Sequence, residues 1–244
     1  MTTFIAEARQ TLVPGSEVKH GPLPPLLVGM TFVTGLVDAF SYLVLGHVFV
    51  ANMTGNVVFL AFALAGAPGF SILASLVALG AFVLGSLGGG LLGSRLGEHR
   101  GHLLSVAAAL QTLLLLVATV LAAISGNAVS TGLSYGLIIV LGVAMGLQNA
   151  TARKLAVPDL TTTVLTLTIV GMAADSRVAG GNGSRAGRRL IAVAAMFVGA
   201  LVGTLLILHI SIVLPLVIAL VVVALIAGTT QLLSRTDAAW VRAS

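Results

Sequence analysis

The chain has 244 residues, of which 58% are hydrophobic and 8% charged, with a formal net charge of +5 and a mean hydropathy of +1.13. That leaves too little polar surface to cover a soluble globule, so the chain reads as an all-α, polytopic membrane protein in contact with a lipid bilayer. Its basic residues lie in the gaps between apolar runs, not on one face among aromatics, which argues against nucleic acid. The absence of cysteine rules out disulfides and thiolate metal sites, and no cofactor is expected.

Residues 1–25 carry Glu7, Arg9, Glu17 and Lys19 and end in Pro22-Leu23-Pro24-Pro25, without a cleavage pattern after a short apolar core. They read as a cytoplasmic tail leading into a retained first helix. A spanning helix needs about 20 apolar residues. Six runs meet or approach that length: Leu26 to Leu45, Ile72 to Leu92, Leu104 to Ile124, Val129 to Leu147, Leu190 to Leu208 and Ile212 to Leu232. Two others, Asn52 to Ala65 and Leu160 to Ala174, would be about 21 to 23 Å long as helices, against a hydrocarbon core of about 30 Å.

Charge placement favours re-entry over spanning for both short segments. With two re-entrant helices, the tail, Arg95 to Arg100, Arg153-Lys154, Arg177 to Arg189 and Arg235 to Arg242 all face one compartment, the cytoplasm by the positive-inside rule. The expected architecture is six full spans plus two short re-entrant helices, with both termini, including residues 234–244, cytoplasmic. The loop from Asp175 to Arg189 contains Gly180-Gly181-Asn182-Gly183 but neither a preceding strand nor a Gly-Lys-Ser, so it reads as a linker whose Arg185, Arg188 and Arg189 face anionic headgroups.

Residues 126–233 laid over residues 26–125 place Gly142 on Gly35, Asp159 on Asn52, Thr161 on Thr54 and Val164 on Val57. After the loop, Ala195, Gly199 and Gly203 fall on Ala81, Gly85 and Gly89. Three full spans per half make this an inverted 3+3 repeat of the type that builds transporters, with the two short-helix starts meeting near the midplane. In that register Gly55 and Asn56 oppose Thr162 and Thr163, while Asp38 falls on Met145.

Within the first span Thr31, Thr34, Asp38 and Ser41 or Tyr42 recur at three- and four-residue spacing and share one face. Ionisable groups at bilayer depth are expensive and usually functional. No Lys or Arg lies at comparable depth to pair with Asp38, which makes it the candidate for proton uptake and release. The alternative is a protonated Asp38 that ties two helices together. Asn52 and Asp159 are candidate N-caps of the short helices. Around them Thr54, Gly55, Asn56, Gln148, Asn149, Thr161, Thr162 and Thr163 are candidates for a polar pathway. Gly85, Gly89 and Gly93, echoed by Gly199 and Gly203, form a close-packing stripe within the monomer or between copies in a homo-oligomer.

Gly35-Leu36-Val37-Asp38-Ala39, Tyr42-Leu43-Val44-Leu45-Gly46 and Phe49-Val50-Ala51-Asn52-Met53-Thr54-Gly55-Asn56 resemble the YoaK-like family of bacterial inner-membrane proteins, and the likeness continues through Gly146-Leu147-Gln148-Asn149 and Thr161-Thr162. The resemblance implies a bacterial multi-pass membrane protein and supplies no substrate. The residues themselves point to transport of a small polar or ionic solute, proton-coupled through Asp38. A passive channel and a non-transporting scaffold are the rival readings. No nucleophile with a base or metal set is visible, so no enzyme activity is expected.

Overall fold

A computed structural model describes residues 2–13, 19–126, 129–163, 165–181, 186–235 and 239–242; Glu17, Val164 and residues 182–185 lie outside the described residues. The described residues form helices α1 (Thr2–Leu12), α2 (Leu23–Val44), α3 (Met53–Leu64), α4 (Ile72–Leu96), α5 (Arg100–Ser125), α6 (Thr131–Leu155), α7 (Leu165–Ala174), α8 (Ala186–His209) and α9 (Leu214–Leu233). Among them α2, α4, α5, α6, α8 and α9 are long and apolar enough to cross a membrane, and α3 and α7 are not. The protein is a multi-pass helical membrane protein.

Local chemistry sets several of the boundaries. Prolines at the first positions of α2 and α9 are pre-set for helix and give up an N–H that would have no partner there. The Ser71 hydroxyl caps α4 by accepting from the Ala74 N–H at 3.2 Å. Beyond their apolar runs, α4 continues through Arg95 and α6 through Arg153 and Lys154, where cations complement the negative end of the helix dipole. The second short helix starts at Leu165 instead of Leu160. Asp159 and Thr162 both hold φ near +64°, a left-handed conformation that an α-helix cannot include, so the chain up to Thr163 is a loop.

The spans pack as α2 with α8, α4 with α6 and α5 with α9, with α5 also against α6 and α2 against α9; α3 leans on α4 and α7 on α8. Glycine lets α4 and α6, and α2 and α8, cross closely. A methyl group built at Gly85 would stand 2.1 Å from the Val143 carbonyl oxygen, and one at Gly199 would stand 2.1 Å from that of Phe32. Gly89 and Gly203 continue these contacts against α6 and α2, and Gly93 packs beneath the Lys154 stem. These glycines are therefore used within the monomer.

One end of the bundle collects both termini. The Arg100 guanidinium donates to the Leu155 carbonyl at 2.6 Å and to that of Lys19 at 3.4 Å, while Trp240 packs on Gly21 and Gly101. This joins the start of α2, the α4–α5 junction, the end of α6 and the C-terminal segment. Part of the predicted N-terminal tail is α1, which lies against α8: the Glu7 carboxylate accepts from the Gly187 N–H at 3.2 Å and the Thr11 hydroxyl accepts from Arg188 Nε at 3.4 Å. Eleven residues are too few for a spanning signal, which is why the sequence pattern left α1 inside the tail.

The excursions containing α3 and α7 each leave and return at the same end of the bundle. At the end away from the termini, His47 Nδ1 lies 3.0 Å from the Gly69 carbonyl oxygen and bridges the two limbs of the α3 excursion. At the end carrying the termini, Arg189 of α8 binds Asp159 at 2.8 Å and Asp175 at 2.9 Å, on either side of α7. Each short helix thus sits in an excursion that opens and closes at one end of the bundle, and the two ends are opposite.

Candidate functional site

Asp38 sits in the C-terminal third of α2 and is 4% exposed. Its Oδ1 accepts from the backbone N–H groups of Val50 at 3.2 Å and Ala51 at 3.0 Å, and its Oδ2 accepts from the Asn52 side-chain amide. Residues 49–52 come back into the bundle as an open chain just before α3, so their N–H groups lack helical partners, and the carboxylate satisfies those of Val50 and Ala51. Asn52 occupies the N-cap position of α3, but its side chain turns to Asp38 and does not cap. Asn56 works from the other side of the loop, donating to the Phe49 carbonyl at 2.5 Å and accepting from the Phe49 N–H at 2.9 Å.

The second half builds a matching station. Asn149 of α6 donates to the Met145 carbonyl at 2.9 Å and accepts from the Thr163 hydroxyl, and this pair is separated by 14 positions, as are Asp38 and Asn52. Gly35 faces the Met196 carbonyl and the Ala200 N–H, just as Gly146 faces those of Phe82 and Ser86. These contacts pair Asp38 with Asn149 and Asn52 with Thr163, four positions away from the pairing of the sequence alignment. The apolar faces of both helices fit either register, and the slip hid an acid-to-amide correspondence by placing Asp38 on Met145.

Two cavities meet at these stations. A cavity of about 390 Å³ lies between α2 and α8 and is lined by Asp38, Tyr42, Phe49, Asn52, Thr163 and Thr204 among others. A cavity of about 1030 Å³ lies between α4 and α6 and reaches the end carrying the termini, lined by Thr54, Ser86, Asn149, Arg153, Lys154 and Thr161 among others. Asn52, Thr163, Leu165 and Thr166 line both. Ser86 and Thr204 carried no signal of their own in the sequence, although each adjoins a glycine of the packing stripe.

The remaining candidates are used elsewhere. Gly55 packs under the Phe49 ring, and Asn56 is fully buried in holding the loop. Gln148 accepts from Gln111 at 2.7 Å and donates to the Thr34 hydroxyl at 2.9 Å, a buried polar tie across α5, α6 and α2. Thr31 and Thr34 donate to carbonyls four residues back within α2. Thr162 is buried and lines neither cavity. Asp159 caps no helix; it is ion-paired with Arg189. Asp175 is half exposed but Arg189 and Asp159 are largely buried, so Arg189→Ala, which strands Asp159, is expected to cost about 1 to 3 kcal/mol in overall stability while speeding amide exchange across residues 165–174, measurable by hydrogen–deuterium exchange.

A family model described as a protein of unknown function (DUF1275) matches residues 26–229. The chain is 34% identical over 154 residues to the UPF0700 transmembrane protein YoaK of Bacillus subtilis (strain 168), a match that covers 62% of this chain and 65% of that relative. No solved structure matches it.

Proposed function

The chain belongs to the DUF1275 family of membrane proteins, and on that premise we propose that it moves a small polar or ionic solute across the bilayer through the two cavities. The observation that carries this reading is the shared lining. Asn52, Thr163, Leu165 and Thr166 face a cavity on either side, so one layer of side chains separates the two chambers. Each re-entrant excursion contributes to that layer, and each is pinned to a span by a polar side chain at the same station, Asp38 in one half and Asn149 in the other. Broken helices converging at mid-depth, in halves of opposite orientation, are the geometry of an inverted-repeat transporter. The basic residues gathered at the end carrying the termini support, by the positive-inside rule, a cytoplasmic side for that end in a bacterial inner membrane.

The scaffold reading calls for a dry interior, and two cavities whose largely apolar walls carry Asp38, Asn52, Asn149 and several threonine hydroxyls speak against it. A passive channel uses the same lining and differs in kinetics: its flux does not saturate. A direct test exploits the absence of native cysteine. Asn52→Cys protein in proteoliposomes should show protein-dependent flux of small polar solutes that falls to the lipid background when a bulky methanethiosulfonate modifies the new thiol. Flux that persists at full modification would remove Asn52 from the pathway and with it this proposal.

A further inference from the structure

We propose that the smaller cavity is a binding site for an organic cation bearing one positive charge, seated between Asp38 and the aromatic wall of Tyr42 and Phe49. This deepens the transport reading and rests on it. Among the described residues Asp38 is the only acid inside a span, and no Lys or Arg lines its cavity. The Lys and Arg residues of the long helices lie in their first or last turns at the end carrying the termini. The three groups that contact the Asp38 oxygens, Val50 N–H, Ala51 N–H and the Asn52 amide, all donate. A neutral carboxyl needs an acceptor for its own O–H, whereas a carboxylate is acceptor-only, so this set of partners suits the ion. A carboxylate at bilayer depth with no basic neighbour calls for a counter-cation.

The walls select the kind of cation. Tyr42 stacks on Phe49 with ring centroids 5.1 Å apart and interplanar angle 25°, and Phe59 stands behind both at 5.9 and 5.6 Å. A carboxylate beside aromatic faces is the chemistry that recognises alkylammonium groups. The remaining polar lining is the Asn52 amide and the hydroxyls of Tyr42, Thr163, Thr166 and Thr204, with no second carboxylate to balance the charge of a bare divalent ion. An anion finds no basic partner here. Arg153 and Lys154 line the other cavity, so a cation meets less repulsion on entering from the end away from the termini.

The test uses the full chain in detergent, with choline as the probe and 3,3-dimethylbutan-1-ol as its uncharged isostere. Choline should raise the melting temperature saturably and the isostere should not. Asp38→Asn should weaken the choline response about 10- to 100-fold, the value of a charge-assisted contact. Asn149 occupies the equivalent station, so the fold already carries an amide there. Tyr42→Leu should weaken the response several-fold through the lost aromatic face. Equal stabilisation by the isostere, an undiminished response in Asp38→Asn, or no response to choline would each overturn the cation site. A proton held on Asp38 in place of the cation gives the last of these results. Asp38-dependent binding without choline flux into proteoliposomes leaves the site standing and refutes transport. Flux of neutral solutes without choline binding does the reverse.

Discussion

Gly199→Ala is expected to lower stability by about 3 kcal/mol or more, and Gly85→Ala by as much, because each added methyl would stand 2.1 Å from a backbone carbonyl oxygen of the crossing helix. A flexible side chain can swing away from such a contact, but a carbonyl in the middle of a span moves only with its helix. The α2–α8 and α4–α6 pairs would have to separate along their length, opening both cavities and loosening the loops pinned to α2 and α6. Gly88→Ala supplies the control. It lies on the same helix as Gly85, a methyl there meets nothing within 4 Å, and alanine favours helix over glycine by about 1 kcal/mol. Size-exclusion thermostability profiles in detergent should therefore show wild-type or better behaviour for Gly88→Ala and large losses for the other two. Equal profiles for all three would refute the close crossings.

Asp38→Ala is expected to destabilise by about 3 kcal/mol, several times more than Asp38→Asn. Alanine strands the Val50 and Ala51 N–H groups and the Asn52 amide, and a stranded buried donor costs about 1 to 3 kcal/mol. Asparagine keeps an oxygen for the two backbone donors. The same melting experiment separates the variants, and an Asp38→Ala protein as stable as Asp38→Asn would show that the 49–52 loop does not depend on this anchor. The contrast matters for function, because only the asparagine variant removes the charge while leaving the anchor in place.

Much of the architecture was legible in the sequence. The six spans stand out because a soluble fold seldom carries an apolar run of bilayer length, and the positions of Lys and Arg indicated that the two short segments turn back. The glycine stripe was readable as packing, although its restriction to contacts within the monomer came from the crossings of Gly85 with Val143 and Gly199 with Phe32. The site was less legible. Asn52 and Asp159 both looked like caps, since acids and amides before apolar helices usually are, yet Asn52 reaches across to Asp38 and Asp159 to Arg189. Both are tertiary contacts with no local signature. The sequence alignment paired Asp38 with Met145, and not with Asn149, because small apolar residues repeat at helical spacing. The equivalence of Asp38 with Asn149 became visible only through their matched partners.

The shared cavity lining is tested most directly by thiol labelling. Single cysteines at Tyr42, Asn52, Asn149 and Thr163 would be exposed to a membrane-impermeant maleimide in right-side-out and inside-out vesicles. Tyr42→Cys should react only from the end away from the termini and Asn149→Cys only from the end that carries them, while Asn52→Cys and Thr163→Cys react from both. Asn52→Cys and Thr163→Cys confined to one side, or silent from both, would contradict a pathway through the place where the two re-entrant chains meet.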